Sequence, residues 1–387
     1  MVFSLTHKSR RVACVMAVGM ATALVGCSGV VDQGGGGGGE GDEQTWEITQ
    51  VTVTDKNSVM HPWEEWYLNE VEKRTDGQIT FVRTEPNELC GILDAGECLF
   101  DGRAQFLTQV PNYQPSAFAS MSMPEIVFGS DNLAAVSSAV YDVNKENPDA
   151  LAYLEEQGLH HVSTLPVGRI VVGTNQPADS IEDLRGEAVR TSGVIVTHDF
   201  EAIGASIVNV GAQEAYQAVQ SGLATSLAGA MDFPVVFKIG ELLPHWSDPG
   251  LGNYSEFSMF WDLETWNEFP EDLKTTLTEI EEELNAGIGA DLLYDAAFAQ
   301  CEMLADMENV ESFTKWPEES TQEWYDRVGE TNDETWIGLA TDYGLNNAGG
   351  VLEDFRSAVE QYEEEYDYSD AVLDCINGGF EEARSSQ

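Results

Sequence analysis

The chain has 387 residues, 42% of them hydrophobic, with 68 Asp and Glu against 18 Lys and Arg and a formal net charge of −50. That apolar content suffices for two domains with real cores and excludes a disordered acidic polymer. The charge excludes nucleic acid and anionic lipid as binding partners, because both are polyanions. Adaptation to high salt, where screening shortens the self-repulsion, explains the excess better than an acidic docking face does. The melting temperature is therefore expected to climb with molar KCl or NaCl, and a flat response would reject that explanation.

Residues 1–26 read as a signal peptide, in which Lys8, Arg10 and Arg11 precede an apolar run over residues 12–24 that is too short for a comfortable membrane span. The run ends in Leu24-Val25-Gly26-Cys27, which resembles a lipobox and marks Cys27 for lipidation as the new N-terminus. Residues 27–45 form a tether built around the six glycines 34–39, a flexible coil of about 20–25 Å. No Lys-Ser/Thr follows these glycines, so they are not a phosphate loop.

Residues 46–54 are β-rich. His61-Pro62 then opens a helix with Trp63, Trp66/Tyr67 and Val71 at helical spacing, stopped by Asp76-Gly77. A second strand covers residues 79–84, and strands alternate with helices to about residue 250, the pattern of parallel α/β layers. From Pro270 a single long helix is predicted to about residue 306, with Leu273, Leu277, Ile280, Leu284, Ile288 and Leu292 stepping by three and four. Residues 319–387 read as helical and strongly acidic, with QYEEEYDYSD as a solvated face.

Cys14 leaves with the signal and Cys27 takes lipid, which leaves Cys90, Cys98, Cys301 and Cys375. Export permits disulfides, and four cysteines allow three pairings. We favour Cys90–Cys98, closing a short loop, and Cys301–Cys375, tying the C-terminal extension to the long helix. A metal site is not expected, because there is no C-x-x-C and no histidine at ligand spacing. The histidines at 7, 61, 160, 161, 198 and 245 lie in no HExxH, and no G-x-S-x-G elbow accompanies them. Adjacent carboxylates carry no information in so acidic a chain. The reading is a protein that is not an enzyme and needs no cofactor.

Cations are scarce, so two arginines bordering strand-like runs need a reason. Arg169 opens RIVVGT and Arg190 closes SIEDLRGEAVR. A guanidinium fork matches a carboxylate bidentately, although an ordinary ion pair is the plain alternative for either.

The stretch PVGRIVVGTNQPADSIEDLRGEAVRTSG, followed by GASIVNVGAQEAYQAVQSGLATSLAGAMDFP, resembles the substrate-binding proteins of TRAP transporters. The matching pieces are Asp183-Leu184-Arg185-Gly186, Arg190, and Glu214, Tyr216, Ala218, Gln220 and Gly222. HPWEEWYLNEVEKRTDGQITF and GECLFDGRAQF resemble the family's first helix and its helix-to-strand step. The resemblance covers roughly residues 46–360. It departs from the family pattern at Thr225-Ser226 and at Gln105.

The resemblance implies a two-domain α/β fold like that of periplasmic binding proteins, with a hinge and a long bracing helix. Domain I would comprise residues 46–166 plus 256–285. Domain II would comprise 167–255 plus 286–387, including the acidic extension. Arg190 would clamp a ligand carboxylate, and Arg169 would add a second contact or hold the clamp in place. Phe233 and Trp261 would be wall residues, with Asp232 the most ambiguous position. Tyr113 and Met123 are weaker contributions from domain I. The expected function is an extracytoplasmic, lipid-anchored receptor that captures a small organic acid, such as a dicarboxylate or keto acid, and delivers it to TRAP membrane subunits. Closure would combine a hinge with bending of the long helix. The alternatives are a binding protein of another transporter or sensor with a non-carboxylate ligand, a secreted hydrolase, and an acidic structural lipoprotein.

Overall fold

A computed structural model describes residues 44–329 and 331–385; the signal peptide, the tether and Cys27 lie outside the described residues. Eleven strands occur among them: β1 Trp46–Thr52, β2 Ile79–Val82, β3 Phe106–Gln109, β4 Leu159–Pro166, β5 Val171–Thr174, β6 Ala188–Thr191, β7 Ser206–Asn209, β8 Ser226–Gly229, β9 His245–Asp248, β10 Glu256–Asp262 and β11 Ser312–Lys315. They form two sheets, ordered β2-β1-β3-β10-β4 and β11-β9-β5-β8-β6-β7. In the first, β10 alone runs antiparallel to its neighbours. In the second, β5 does.

Those two strands share a cause. Each follows a direct crossing from one sheet to the other, β4 to β5 and β9 to β10, whereas the third crossing, from β10 to β11, passes through the long helix and leaves β11 parallel to β9. The two direct crossings run side by side. Val167 N–H donates to Ser255 O (2.9 Å), Tyr254 N–H to Gly168 O (3.0 Å) and Ile170 N–H to Gly252 O (2.8 Å). The sheets are thus joined by a two-stranded strap.

The helix His61–Arg74 forms as its sequence requires. Pro62 sits in its first turn, Lys73 and Arg74 in its last, and Trp63, Tyr67, Leu68 and Val71 face inward. Asp76 and Gly77 follow with φ of 49° and 78°, a left-handed reversal that glycine tolerates at no steric cost. One apolar cluster joins both sheets, from Trp63 and Phe106 to Val171, Val189 and Leu227. A second lies under the helix Leu133–Glu146 and takes in Val51, Leu107, Val136, Val140, Val351 and Phe355.

The long helix is not continuous. Glu271–Glu283 and Gly289–Ala305 meet at an elbow where Ala286 (ψ 25°) and Gly287 (φ 117°) leave helical geometry. Gly289 N–H reaches back to Leu284 O, one wide turn. Buried Asn285 secures the bend. Its Nδ2 donates to Val162 O (2.9 Å) and Glu281 O (2.8 Å), and its Oδ1 accepts from Ser163 Oγ (2.9 Å). Its own carbonyl accepts from Ser138 Oγ at 2.7 Å. Leu284, Ile288 and Leu292 concealed this break by continuing the spacing in sequence; beyond the elbow the buried face passes to Ala290, Leu293 and Ala297, and Ile288 and Leu292 are only partly buried.

Both expected disulfides are present, Cys90–Cys98 and Cys301–Cys375. The helix Ala348–Glu365 packs along Leu133–Glu146. It therefore lies on the first sheet's side, not with the second sheet where the sequence grouped residues 286–387.

Candidate functional site

Between the sheets is a cleft of about 660 Å³, counting its open mouth. Its lining comes largely from segments that leave the carboxyl ends of parallel strands. Asp55 and Ser58 follow β1, Tyr113 follows β3, Ser192 follows β6, Gln213 follows β7, and Asp232 and Phe233 follow β8. Val167, Tyr254 and Ser255 come from the strap. Carboxyl ends are where open α/β sheets take ligands, because loops there converge from several strands.

Arg190, on β6, is fully buried. Nε and Nη2 both donate to Val210 O (3.0 and 2.8 Å), and Nη1 donates to Tyr254 Oη (2.8 Å) with a longer contact to Ala228 O (3.5 Å). Its guanidinium carbon stands 4.8 Å from the centre of the Phe233 ring, a cation–π contact. Every hydrogen-bond partner is neutral. A buried cation without a bonded counter-charge is costly, and one of its five N–H donors remains on Nη2. Tyr254 Oη is fixed in turn by Ser192 Oγ at 2.8 Å, so the clamp is held before any ligand arrives.

Asp232 also lines the cleft and is buried. Burial pushes its carboxyl up to about 6, while its own backbone N–H and the Arg190 charge oppose the shift. Tyr113 is raised to about 12, chiefly by burial.

The cleft therefore brings together Arg190, Asp232, Phe233 and Tyr113. Two other expected contacts lie elsewhere. Arg169 is buried outside the cleft lining, with Nε donating to Asp248 Oδ2 (2.8 Å), Nη1 paired to Asp131, and Asp370 at 3.9 Å. It bridges three acids brought from distant segments, which leaves nothing aimed at the cleft. Trp261 is packed in the first sheet's core, donating to Tyr67 Oη (2.9 Å) and edge-on to Phe106 at 4.8 Å. Met123 lines a separate groove. The two departures from the family pattern are also remote. Gln105 accepts from Thr49 N–H, and Thr225 Oγ1 accepts from Ala188 N–H, each tying neighbouring strand ends together.

Tyr254, Ser192 and Phe257 are cleft residues that the sequence did not single out. Tyr254 sits in GNYSEF and reaches the site only because the second crossing lies beside the first. No local signal marks it.

Just behind the cleft, Asn112 Nδ2 bridges Glu125 Oε1 (2.5 Å) and Ser255 Oγ (3.3 Å). Glu125 and Glu256 are both buried. Burial raises the pKa of each, and for Glu256 the neighbouring Glu125 charge adds to the rise. Between the ordinary carboxylate range and neutrality the folded form holds protons that the unfolded form has released, so their contribution to stability falls as pH rises. Glu125→Gln is therefore expected to stabilise by on the order of 2 kcal/mol at pH 8 and by little at pH 4.5. An equal gain at both pH values in thermal melts would reject the assignment.

The model of the DctP family, described as bacterial extracellular solute-binding protein, family 7, matches residues 51–337. No curated protein matches the chain. Solved structures of TRAP solute-binding proteins share its fold. One from Rhodoferax ferrireducens T118, in complex with copurified benzoate, is 17% identical and covers 83% of this chain and 99% of its own, with a TM-score of 0.74. One from Bordetella bronchiseptica with bound (R)- and (S)-mandelate is 19% identical, with coverage of 82% and 99% and a TM-score of 0.70. The periplasmic ectoine-binding protein of a TRAP transporter from Halomonas elongata is 17% identical, with coverage of 81% and 99% and a TM-score of 0.70. The two sheets, the strap and the long helix are those of a periplasmic-binding-protein-like fold. Since the family model spans well over half of its length, the chain belongs to family 7 of the bacterial extracellular solute-binding proteins, and it is a binding protein rather than an enzyme.

Proposed function

We propose that this protein captures a small organic acid in the cleft between its two sheets and delivers it to the membrane subunits of a TRAP transporter. One observation carries the reading: Arg190 is buried at the cleft with only neutral hydrogen-bond partners. An anion placed there would receive a preorganised, charge-assisted hydrogen bond and relieve the uncompensated cation. Closure would turn on the strap formed by residues 167–170 and 252–255. The sequence Leu24-Val25-Gly26-Cys27 supports a lipid anchor on the outer side of the membrane, with the glycine-rich segment as tether.

The test is a thermal-shift screen of the protein in molar salt against carboxylates, sugars and amino acids. A ligand at a hundred times its dissociation constant stabilises by about 2.7 kcal/mol, which is readily seen. Stabilisation by organic acids is the expected result. A response confined to neutral sugars would overturn the reading.

A further inference from the structure

The charge pattern of the cleft narrows the ligand further, and this step rests on the organic-acid reading above. Among the described residues that line the cleft, Arg190 is the one cation, against two acids, Asp55 and Asp232. The nearby guanidinium of Arg169 is committed to three aspartates. Asp232 is buried, and among the described residues no cation forms an ion pair with it; its one resolved hydrogen bond comes from its own backbone. Much of the remaining wall is apolar, including Val53, Ile92, Val236 and Phe257.

We propose that the cleft selects a zwitterionic monocarboxylate, with its carboxylate on Arg190, a cationic nitrogen on Asp232 and a compact apolar body between them, and that it discriminates against dicarboxylates. A second carboxylate inside this lining would find no second cation, only neutral donors such as Ser192 and Gln213, and beside Asp232 or Asp55 it would meet a like charge, which is strongly unfavourable in a desolvated site. A cationic nitrogen instead supplies the counter-charge that Asp232 lacks, so both buried charges are matched by one molecule. A plain monocarboxylate satisfies Arg190 and leaves Asp232 as it stands. The order of affinity follows directly: zwitterion, then monocarboxylate, then dicarboxylate.

Three probes matched in length test this: 4-aminobutanoate, pentanoate and glutarate. Proline against cyclopentanecarboxylate forms a cyclic pair for a shorter charge spacing. Affinities are read by calorimetry on the whole protein in molar salt. The better zwitterion is expected to bind at least 10-fold more tightly than its isostere lacking the cationic nitrogen, and glutarate more weakly than pentanoate. Asp232→Asn is expected to bring the zwitterion to within about 3-fold of the isostere. Tighter binding of glutarate, or a zwitterion preference that survives Asp232→Asn, overturns the inference alone and leaves the organic-acid site standing. Binding by none of these probes, with none by the wider panel of acids, overturns both.

Discussion

Arg190→Ala is expected to abolish ligand binding while the protein stays folded. The first half follows from the geometry of the guanidinium, which is the one cation in the cleft lining. Truncating one partner of a buried, hydrogen-bonded charge pair costs about 2–5 kcal/mol, a loss of roughly 30- to 4,000-fold in affinity. The second half follows from its partners. Val210 O, Ala228 O and Tyr254 Oη are neutral groups, so the charge left without its neighbour is that of Asp232, whose carboxyl would rise further and take up a proton more readily. Removing an uncompensated buried cation also removes its desolvation penalty. Arg190→Lys keeps a charge but loses the fork that grips Val210 O with two donors, and should recover only part of the affinity. An alanine variant that binds within about 3-fold of the parent would remove Arg190 from the site.

Arg169→Ala is expected to do the reverse. Its guanidinium bridges Asp131, Asp248 and Asp370, and Asp248 is fully buried. Burial already raises the Asp248 carboxyl, and the Arg169 charge is the largest influence holding it down. Breaking a buried pair from one side typically costs about 3–5 kcal/mol, because the abandoned charge stays buried. For a body of this size that is about 5–10 °C in melting temperature. Ligand affinity, measured below the new transition, should change by less than about 3-fold. A stable Arg169→Ala protein with weakened binding would show that this arginine acts on the ligand after all. On these expectations the two arginines, equivalent as residues at strand ends, would separate into one that governs binding and one that governs stability.

That separation marks how far the sequence could be read. Alternating elements, the reversal at Asp76-Gly77, the Cys90–Cys98 pair and the placement of Arg190, Asp232 and Phe233 near the carboxyl ends of β6 and β8 were legible, because each depends on neighbours along the chain; Cys301–Cys375, 74 residues apart, was legible because only those two cysteines remained once Cys90 and Cys98 were paired. What escaped depends on partners far away in sequence. The role of Arg169 is decided by acids from three separate segments. The side to which Trp261 points is decided by β10 entering the middle of the first sheet, with a register shift between Met259 and Phe260. Because side chains alternate, such a shift changes which face a residue meets. The elbow in the long helix was hidden for the opposite reason: its signal, Asn285 and Gly287, is local but lies inside an unbroken apolar rhythm.

That elbow alters how capture of a ligand would be financed. A straight rod spanning a closing cleft behaves as a spring and returns its load by forcing the cleft open again. Here the joint is bent, and Asn285 moors it to Val162 and Ser163 on β4 and to Ser138 on the adjoining helix. If the joint keeps this bend throughout, no helical amide would have to be torn free for the cleft to shut, and the work of closure would fall on the strap. Amide exchange across residues 284–289 should accordingly be the same with and without ligand, and protection that changes on binding would show the joint to be a moving part.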